Sequence, residues 1–295
     1  MGVLLKASLL RQRLKGLLAG PSIVAAPGAF DALSARQVQQ AGFPAVYLGS
    51  YAVCATLGLP DVGLLDLTTL AARLRSVCAA VDVPVIADAE NGFFDAAGIR
   101  HAIQVLEGTG VSAIHIEDHV SGKHTDRPRR ILSTPEMVAK IEAALDARTD
   151  PDFQIIARTD AMWANGDLDD AVARMRDYGE AGADAVMPSH MGAATLKGVR
   201  ERLAGKVVLV HRPPASVMDE EEAGANLVVY HDLCLHAAYT SVGQALEAFA
   251  DRKHLPAASQ PGSNPGSHPM SAPLDGLLGY DAHNARAARY GLPRS

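Results

Sequence analysis

Eight short runs of apolar residues recur along the chain, each separated from the next by a segment long enough for a helix. Strands buried on both faces have such continuous apolar runs, and their alternation with helical segments is typical of parallel βαβ units. Eight units predict a closed barrel of the α/β class, the (β/α)8 or TIM barrel, with its chemistry in the loops after the strands. The runs are residues 23–26, 45–48, 84–86, 113–116, 154–157, 185–187, 207–210 and 227–229.

The composition indicates a globular protein with a small-molecule partner. The chain has 295 residues, of which 48% are hydrophobic, so it can bury the core of one barrel with additions. A formal net charge of −6 argues against nucleic acid or an anionic membrane, because both attract a basic face. No stretch is apolar enough for a membrane span. Three cysteines without metal-type spacing (Cys54, Cys78 and Cys234) favour a reducing, cytoplasmic location.

Composition also divides the chain into a barrel, a linker and a tail. Residues 1–255 are assigned to the barrel, and the first twenty predict an amphipathic helix that covers its bottom or packs on a neighbouring subunit. Residues 256–273 are rich in Pro, Ser and Gly, as flexible linkers are. Residues 274–295 form a tail, helical over 274–290, that docks on its own barrel or on another subunit.

Helix signals are clearest in the second half of the barrel. Ser133 and Glu136 form a capping box ahead of an apolar repeat of period four, which predicts a helix over 134–145. A second helix is predicted over 167–181, ending at Gly182, because glycine lets the chain turn sharply at a helix C-terminus.

Acidic residues follow neighbouring strands at the edge where the loops begin. Asp88 and Glu90 come after the third run, Glu117 comes after the fourth, and Asp61 lies in a loop after the second. Mg²⁺ prefers oxygen ligands in an octahedron, with one or two direct carboxylates and several waters. These four residues are therefore the predicted site for Mg²⁺ or for Mn²⁺, which suits similar ligands. The alternative is that they are solvated loop carboxylates or helix caps.

Groups that bind anions are predicted at the same edge. Arg158 ends the fifth run, where a guanidinium can bind a carboxylate or phosphonate through two hydrogen bonds. An ion pair with Glu117 or Asp160 is the alternative, and it does not exclude substrate binding. The turn at Gly49 and Ser50 presents N–H groups suited to an anion or a developing enolate oxygen, although glycine is also ordinary at a strand end. None of the seven lysines ends a predicted strand, which disfavours a Schiff-base mechanism and favours metal-assisted chemistry.

Five motifs follow one another at the strand ends: Pro27-Gly28-Ala29-Phe30-Asp31, Gly58-Leu59-Pro60-Asp61, Ala87-Asp88-Ala89-Glu90, Ile116-Glu117-Asp118 and Ala157-Arg158-Thr159-Asp160. Over roughly residues 20–250, their order and spacing resemble the isocitrate lyase and phosphoenolpyruvate mutase superfamily. The resemblance implies a (β/α)8 barrel, Mg²⁺ as cofactor and a small carboxylate substrate bound as an enolate. It also implies an oligomer, often a homotetramer whose subunits exchange a C-terminal helix.

The resemblance assigns roles to individual residues. Asp88 resembles the direct Mg²⁺ ligand, while Asp61, Glu90 and Glu117 resemble the acidic groups that hold metal-bound waters. Ser50 and Arg158 resemble substrate binders, and further candidate substrate contacts, predicted independently of the resemblance, are Tyr47, Gly49, His211 and His236. Ser50 and Arg158 are also the candidate catalytic residues, together with Lys123 and His124, which we expect to close over the substrate from the stretch that corresponds to the gate loop.

Two positions depart from the family pattern. Glu90 stands where the family usually has Asp, and its additional methylene extends the carboxylate by roughly 1.5 Å, which a water-mediated contact absorbs. Family lyases carry a Lys-Lys/Arg-Cys-Gly-His gate loop whose cysteine is the acid or base at the departing carbon. Here the corresponding stretch is 122–127, and Thr125 cannot replace a thiol of tunable pKa. The Lys, Asn and Ser pattern of the phosphonomutase gate loop is missing too.

These features lead to a ranked set of functional hypotheses. Decarboxylation needs no base at the departing carbon, and His236-Ala237-Ala238-Tyr239 resembles the oxaloacetate decarboxylase branch, although His236 is equally explained by packing on a helix. The leading hypothesis is a Mg²⁺-dependent carbon–carbon lyase acting on a small 2-oxo or 2-hydroxy dicarboxylate through an enolate, with oxaloacetate decarboxylation preferred. His124 is the candidate proton donor, its alternative being an exposed loop residue. The alternatives are a phosphonopyruvate mutase or hydrolase and a degenerate member that binds an acid without turnover.

Overall fold

Eight parallel strands form the barrel that the apolar runs predict. The computed structural model describes residues 3–253 and 272–290, and hydrogen bonds connect the eight strands in the order 185–188, 154–159, 113–117, 85–88, 46–48, 24–29, 227–230 and 208–210. A bridge between Val186 and Val207 joins the two end strands. The α/β barrel and its eight strands are thereby confirmed. The strands in the described residues are β1 (Val24–Ala29), β2 (Val46–Leu48), β3 (Val85–Asp88), β4 (Ala113–Glu117), β5 (His119–Ser121), β6 (Arg130–Ile131), β7 (Gln154–Thr159), β8 (Ala185–Pro188), β9 (Val208–Val210) and β10 (Leu227–Tyr230).

Helices alternate with the barrel strands. The predicted helix over 134–145 is observed as α6, where the Glu136 carboxylate accepts the backbone N–H of Ser133 at 2.8 Å. The helix predicted over 167–181 is observed as α8, which begins after the capping residue Asp167. The helices are α1 (Val3–Ala19), α2 (Ala32–Gln40), α3 (Ser50–Thr56), α4 (Leu67–Ala80), α5 (Ile99–Glu107), α6 (Thr134–Ala147), α7 (Ala161–Ala164), α8 (Leu168–Glu180), α9 (Ala193–Val199), α10 (Val217–Glu222), α11 (Leu233–Arg252), α12 (Ala272–Leu278) and α13 (Tyr280–Arg289).

The core has two layers because successive strand residues point to opposite faces of the sheet. Leu48 and Ile155 pack outward with the helices, whereas Tyr47 and Ile156 point into the barrel. Leu14 of α1, like Leu18 one turn later, joins the interior group. The N-terminal helix therefore closes the bottom of the barrel, as one of its two predicted placements requires.

The chain divides into two units, one ending at Leu235 and the other beginning at His236, so α11 begins in the first and continues in the second. The predicted tail contains α12 and α13, with a break at Gly279, whose φ of 82° suits glycine. Residues 256–271 of the predicted linker lie outside the described residues, and exchange of the tail between subunits stays a prediction. Among the described helices, none has the length and apolar character needed to span a membrane.

Candidate active site

Four carboxylates converge at the ends of β3 and β4. Asp88 ends β3, Glu117 ends β4, Glu90 lies in the turn after β3, and Asp61 comes from the loop between α3 and α4. Neighbouring parallel strands end at the same edge of the sheet, which is why residues far apart in sequence meet here. Each of the four exposes between 1% and 7% of its surface. The structure thus brings all four predicted metal residues into one buried cluster, called here the carboxylate cluster.

Lys123 inserts its ammonium group into the carboxylate cluster. Its Nζ lies 2.7 Å from Glu90 Oε2, 3.4 Å from Asp61 Oδ1 and 3.5 Å from Glu117 Oε1. Burial opposes the charge of this lysine, but the acidic groups around it hold its pKa well above the usual value. Lys123 is therefore charged near neutral pH and partly neutralises the cluster.

The carboxylate cluster has the donors that a hydrated divalent cation requires. Asp61 Oδ1, Glu90 Oε1 and both carboxylate oxygens of Glu117 are buried and accept no hydrogen bond from the described residues. Asp61 Oδ1 and the two Glu117 oxygens have only the longer ion-pair approaches of Lys123 or Arg158, at 3.1 to 3.5 Å. Buried carboxylate oxygens without a donor are costly unless a cation or an ordered water reaches them. Oxygen-only donors of this charge suit Mg²⁺ or Mn²⁺, so the residues present fit the predicted cofactor.

Asp88 is the most firmly oriented member of the carboxylate cluster. The Ser50 hydroxyl donates to Oδ2 at 2.9 Å, and the backbone N–H of Glu90 donates to Oδ1 at 2.8 Å. His115 Nδ1 lies 3.7 Å from the same Oδ1. Glu90 itself has a left-handed backbone, with φ of 52°, a conformation unusual for a residue that carries a side chain, and its carboxylate accepts from Lys123 Nζ at 2.7 Å.

Burial and neighbouring charges separate the pKa values of Asp88 and Glu90. Burial opposes the charge of Asp88, but His115, Lys123 and Arg158 outweigh it and hold the pKa of this carboxyl well below its usual range. Burial lowers the pKa of His115 to about 4, so its ring is neutral near pH 7. At that pH the charged groups that lower the pKa of Asp88 are Lys123 and Arg158. Burial together with the charge of Asp88 raises the pKa of Glu90 to about 8. Of these two carboxyl groups, Asp88 is thus the one that is ionised near pH 7, which suits a direct metal ligand.

Tyr47, a predicted substrate contact, reaches the site through His115. Its hydroxyl lies 2.9 Å from His115 Nε2, and the two rings stack with their centroids 5.9 Å apart. Tyr47 exposes 3% of its surface and His115 exposes 1%. The hydrogen bond and the stacking with Tyr47 fix the His115 imidazole beside the Asp88 carboxylate.

Arg158 bridges two carboxylates beside the cluster. Its Nη1 lies 3.1 Å from Glu117 Oε2, and its Nε donates to Asp160 Oδ1 at 2.8 Å. The ion pairs that were the alternative for Arg158 are therefore present. With 12% of its side chain exposed, the guanidinium is a nearly buried positive charge held by two carboxylates at the end of β7.

A second arrangement of candidate metal ligands shares Glu117. Glu117, His119 and Asp160 each offer one ligand atom, and these atoms lie within 4.8 Å of one another. The nitrogen donor makes this arrangement better suited to a transition metal than to Mg²⁺. Arg158 on β7 already bonds one oxygen of both carboxylates, so a cation there would face a fixed guanidinium. The carboxylate cluster instead faces Lys123, which belongs to a loop.

That loop is the tip of a hairpin formed by β5 and β6. We name residues 119–131 the gate hairpin and residues 122–129 its tip. The tip begins at Gly122, with φ of 86°, where a side chain would approach the Pro128 carbonyl oxygen to 2.7 Å. His124 follows Lys123, and its Nε2 lies 3.5 Å from Asp61 Oδ2 with about half of the side chain exposed. Burial lowers the pKa of His124, so its ring is mainly neutral near pH 7.

The remaining predicted substrate-binding residues differ in their placement. Gly49 precedes α3, whose first residue is Ser50. His211 follows β9, with its Nδ1 3.0 Å from Glu220 Oε1 and its ring stacked on Tyr230, and none of its described contacts reaches the carboxylate cluster. His236 lies on α11 in the second unit, and its role stays a prediction.

A group of aromatic rings around Trp163, at the loop end of the barrel, was not predicted from the sequence. Trp163 on α7 stacks on His190, with centroids 5.1 Å apart, and also contacts His124 at 4.7 Å. The Arg129 guanidinium lies 4.3 Å from the centroid of the Trp163 ring. The available signal was the position of Trp163 five residues after Arg158, in the loop that follows a barrel strand.

The comparisons with known proteins assign the chain to a family. Residues 14–250 match the family model described as phosphoenolpyruvate phosphomutase. The chain belongs to the phosphoenolpyruvate phosphomutase family. A 2,3-dimethylmalate lyase of Eubacterium barkeri is 40% identical over 235 residues, which cover 77% of this chain and 81% of the relative.

Other members of the phosphoenolpyruvate phosphomutase superfamily carry different activities. An oxaloacetate decarboxylase of Rhodopseudomonas palustris (strain BisB5) is 33% identical over 246 residues, covering 82% of this chain and 85% of the relative. A solved phosphonopyruvate hydrolase with oxalate and Mg²⁺ has a TM-score of 0.83 at 27% identity, covering 95% of this chain and 98% of the other. The predicted superfamily, the barrel and the enzyme class, a lyase, are confirmed, while the substrates differ among these relatives.

Proposed function

We propose that this chain is a Mg²⁺-dependent carbon–carbon lyase for a small 2-oxo or 2-hydroxy dicarboxylate, with oxaloacetate decarboxylation as its preferred reaction. The supporting observation is a carboxylate cluster beneath a gate hairpin whose tip carries Thr125 and no thiol. Cys54 on α3 lies near the carboxylate cluster, but burial, with the charges of Asp61 and Glu90, raises its pKa to about 11 and keeps the thiol neutral. Burial raises the pKa of Cys78 to about 12. The pKa of Cys234 is raised as well. A reaction without a thiol acid or base suits this arrangement best.

In oxaloacetate the bond to the carboxylate β to the 2-oxo group breaks, and that carboxylate leaves as carbon dioxide. The bonding electrons stay on the carbon next to the carbonyl group, and negative charge develops on the carbonyl oxygen of the resulting pyruvate enolate. When bound, Mg²⁺ would supply positive charge at that oxygen through the carboxylate cluster. The chain's own contribution is positional: Ser50 orients Asp88, and Lys123 Nζ lies 3.4 Å from Ser50 Oγ. Arg158 provides a fixed positive charge for a substrate carboxylate.

The enolate must then receive a proton on carbon. His124 lies at the edge of the mouth with about half of its side chain exposed, so it can exchange protons with solvent. Because burial lowers its pKa, His124 acts as an acid only after a nearby anion has favoured its protonated form. A His124→Gln variant that kept full turnover and an unchanged pH profile would remove this residue from the mechanism.

The deciding experiment measures pyruvate release from oxaloacetate with Mg²⁺, with a chelator and in the Asp88→Ala variant. Free metal ions decarboxylate oxaloacetate unaided, so only the rate above the metal-only background counts. We expect a rate that requires both Mg²⁺ and Asp88. Asp169→Ala, which changes an exposed aspartate on α8, serves as the control and should match the unchanged protein. A rate no higher than background would exclude oxaloacetate as the substrate.

A second candidate is cleavage of a substituted 2-hydroxy dicarboxylate, supported by the 40% identity to a 2,3-dimethylmalate lyase. Direct assay of 2,3-dimethylmalate cleavage separates this reaction from decarboxylation. Phosphonopyruvate is the third substrate to test, by phosphorus NMR, because the solved hydrolase shares the fold. Tight binding of such acids without any product would instead indicate a member that binds but does not turn over its ligand.

A further inference from the structure

Trp163 occupies a fixed position on the rim of the barrel. It is the single tryptophan of the chain and lies on α7, immediately after the motif that contains Arg158 and Asp160. Its backbone N–H donates to the Asp160 carbonyl oxygen at 2.9 Å, and its ring stacks on His190 with an interplanar angle of 10°. Both the backbone and the ring are therefore held by the barrel.

The gate hairpin meets this ring from both ends of its tip. His124, near the beginning of the tip, places its ring 4.7 Å from that of Trp163. Arg129, at the end of the tip, places its guanidinium 4.3 Å from the ring centroid, within the range of cation–π attraction. A segment of six residues, 124–129, thus contacts one aromatic ring at both of its ends.

Lys123 is the other connection between the tip and the barrel. Lys123, His124 and Arg129 each supply a polar or ring contact that links the tip to the barrel. A lysine side chain is long and has several rotatable bonds, so its ion pairs alone do not fix the backbone of a loop. Contacts with the rigid Trp163 surface fix that backbone one residue away.

We propose that Trp163 is a positioning residue: the gate hairpin packs on its ring when closed, and this contact keeps Lys123 at the carboxylate cluster. Only the expected effect of Trp163 on turnover rests on the proposed function. Its contacts with the gate hairpin do not depend on that function. It goes beyond the family assignment because it gives a role to a side chain that the family motifs do not include.

The test compares Trp163→Leu with Trp163→Phe, which keeps an aromatic face for both partners. The first readout is trypsin cleavage after Lys123, followed by mass, because cleavage in a loop reports how often it opens. We expect Trp163→Leu to be cleaved at least about tenfold faster, the size expected when a ring contact and a cation contact are lost together. Trp163→Phe should restore most of the protection. Phe94→Leu, at an exposed aromatic residue, is the matched control and should not change cleavage.

The second readout is kinetic and spectroscopic. If oxaloacetate is turned over, Trp163→Leu should lower kcat more than it raises KM, because the closed state is needed after binding. In the otherwise unchanged protein, Arg129→Met should make the fluorescence of Trp163 more accessible to acrylamide. This second variant tests the contact from the hairpin side even where Trp163→Leu fails to fold.

Unchanged cleavage in a folded Trp163→Leu protein would overturn the proposal, as would equal cleavage of the Leu and Phe variants. Unchanged acrylamide quenching in Arg129→Met would overturn it as well. Absence of activity in the unchanged protein, with the expected cleavage pattern, would contradict the proposed reaction. It would still support the role of Trp163 in holding the gate hairpin closed.

Discussion

The Nζ atom of Lys123 lies 2.7 Å from Oε2 of Glu90, so a lysine ammonium group lies within the carboxylate cluster where Mg²⁺ is proposed to bind. Lys123 also approaches Asp61 and Glu117, which gives it three of the four candidate metal residues as neighbours. Two cations near the same carboxylates repel each other, and they share a fixed amount of negative charge. Lysine and metal ion are therefore expected to compete.

Replacement of Lys123 by Met should strengthen Mg²⁺ binding. The variant leaves the four carboxylates without their ammonium neighbour, and we expect Kd for Mg²⁺ to fall about tenfold, equivalent to about 1.4 kcal/mol. Isothermal titration calorimetry in the absence of substrate measures this directly. Lys197→Met, which removes a lysine paired with Glu222 on the surface, is the control. Weaker Mg²⁺ binding in Lys123→Met would mean that lysine and metal ion assist each other.

Removal of the metal should make stability depend on pH through Glu90. Its folded pKa is about 8 and its ordinary value is 4.5, so the folded protein binds more protons than the unfolded chain between these values. Stability must therefore fall as pH rises across this window. Since one pKa unit corresponds to about 1.4 kcal/mol, the loss should be on the order of 2 kcal/mol or more.

Urea unfolding with a chelator at pH 5.5 and pH 8 measures this effect. The Glu90→Gln variant cannot lose a proton at this position, so its free energy of unfolding should change less between the two pH values. The comparison uses the slope with pH rather than the absolute stability, because the variant also changes the contact with Lys123. Equal slopes for the two proteins would show that another group titrates.

The barrel and the carboxylate cluster were predictable because both depend on short-range patterns. Strands buried on both faces have continuous apolar runs, and the polar residue after each run must lie at the common edge of a parallel sheet. Asp88 and Glu117 follow from this rule without any knowledge of side-chain packing. The capping box at Ser133 likewise marks the start of α6 within four residues of sequence.

Other parts depend on contacts that no local pattern reveals. The gate hairpin rests on two strands of three and two residues, too short for a periodic signal. Trp163 meets His190 and Arg129 only after three separate loops have folded together. The tail was predicted as one helix over 274–290, but the left-handed backbone of Gly279 divides it into α12 and α13.

Tyr178 should be important for stability and not for chemistry. Its buried hydroxyl donates to Asp118 Oδ2 at 2.8 Å, beside donors from Thr159 and from the backbone of Asp160. Tyr178→Phe removes one donor to a buried carboxylate, which should cost about 1–3 kcal/mol of unfolding free energy. Turnover should stay within about threefold, because the remaining donors still hold the loop of Arg158. Tyr239→Phe, at an exposed hydroxyl, is the control, and equal stability of both variants would contradict the role of this network.

Arg158 should be sensitive even to replacement by lysine. Its Nε and Nη1 hold Asp160 and Glu117 in two fixed directions, at 2.8 and 3.1 Å, while 12% of the side chain remains exposed. A single ammonium group cannot meet both carboxylates and a substrate, so Arg158→Lys should lower kcat/KM about 100-fold, equivalent to about 2.7 kcal/mol. Steady-state kinetics with the substrate identified above measures the loss, and Arg202→Lys, which alters an exposed ion pair, is the control. A loss of less than about threefold would show that charge alone is sufficient at this position, because it is far below the energy of a two-point contact.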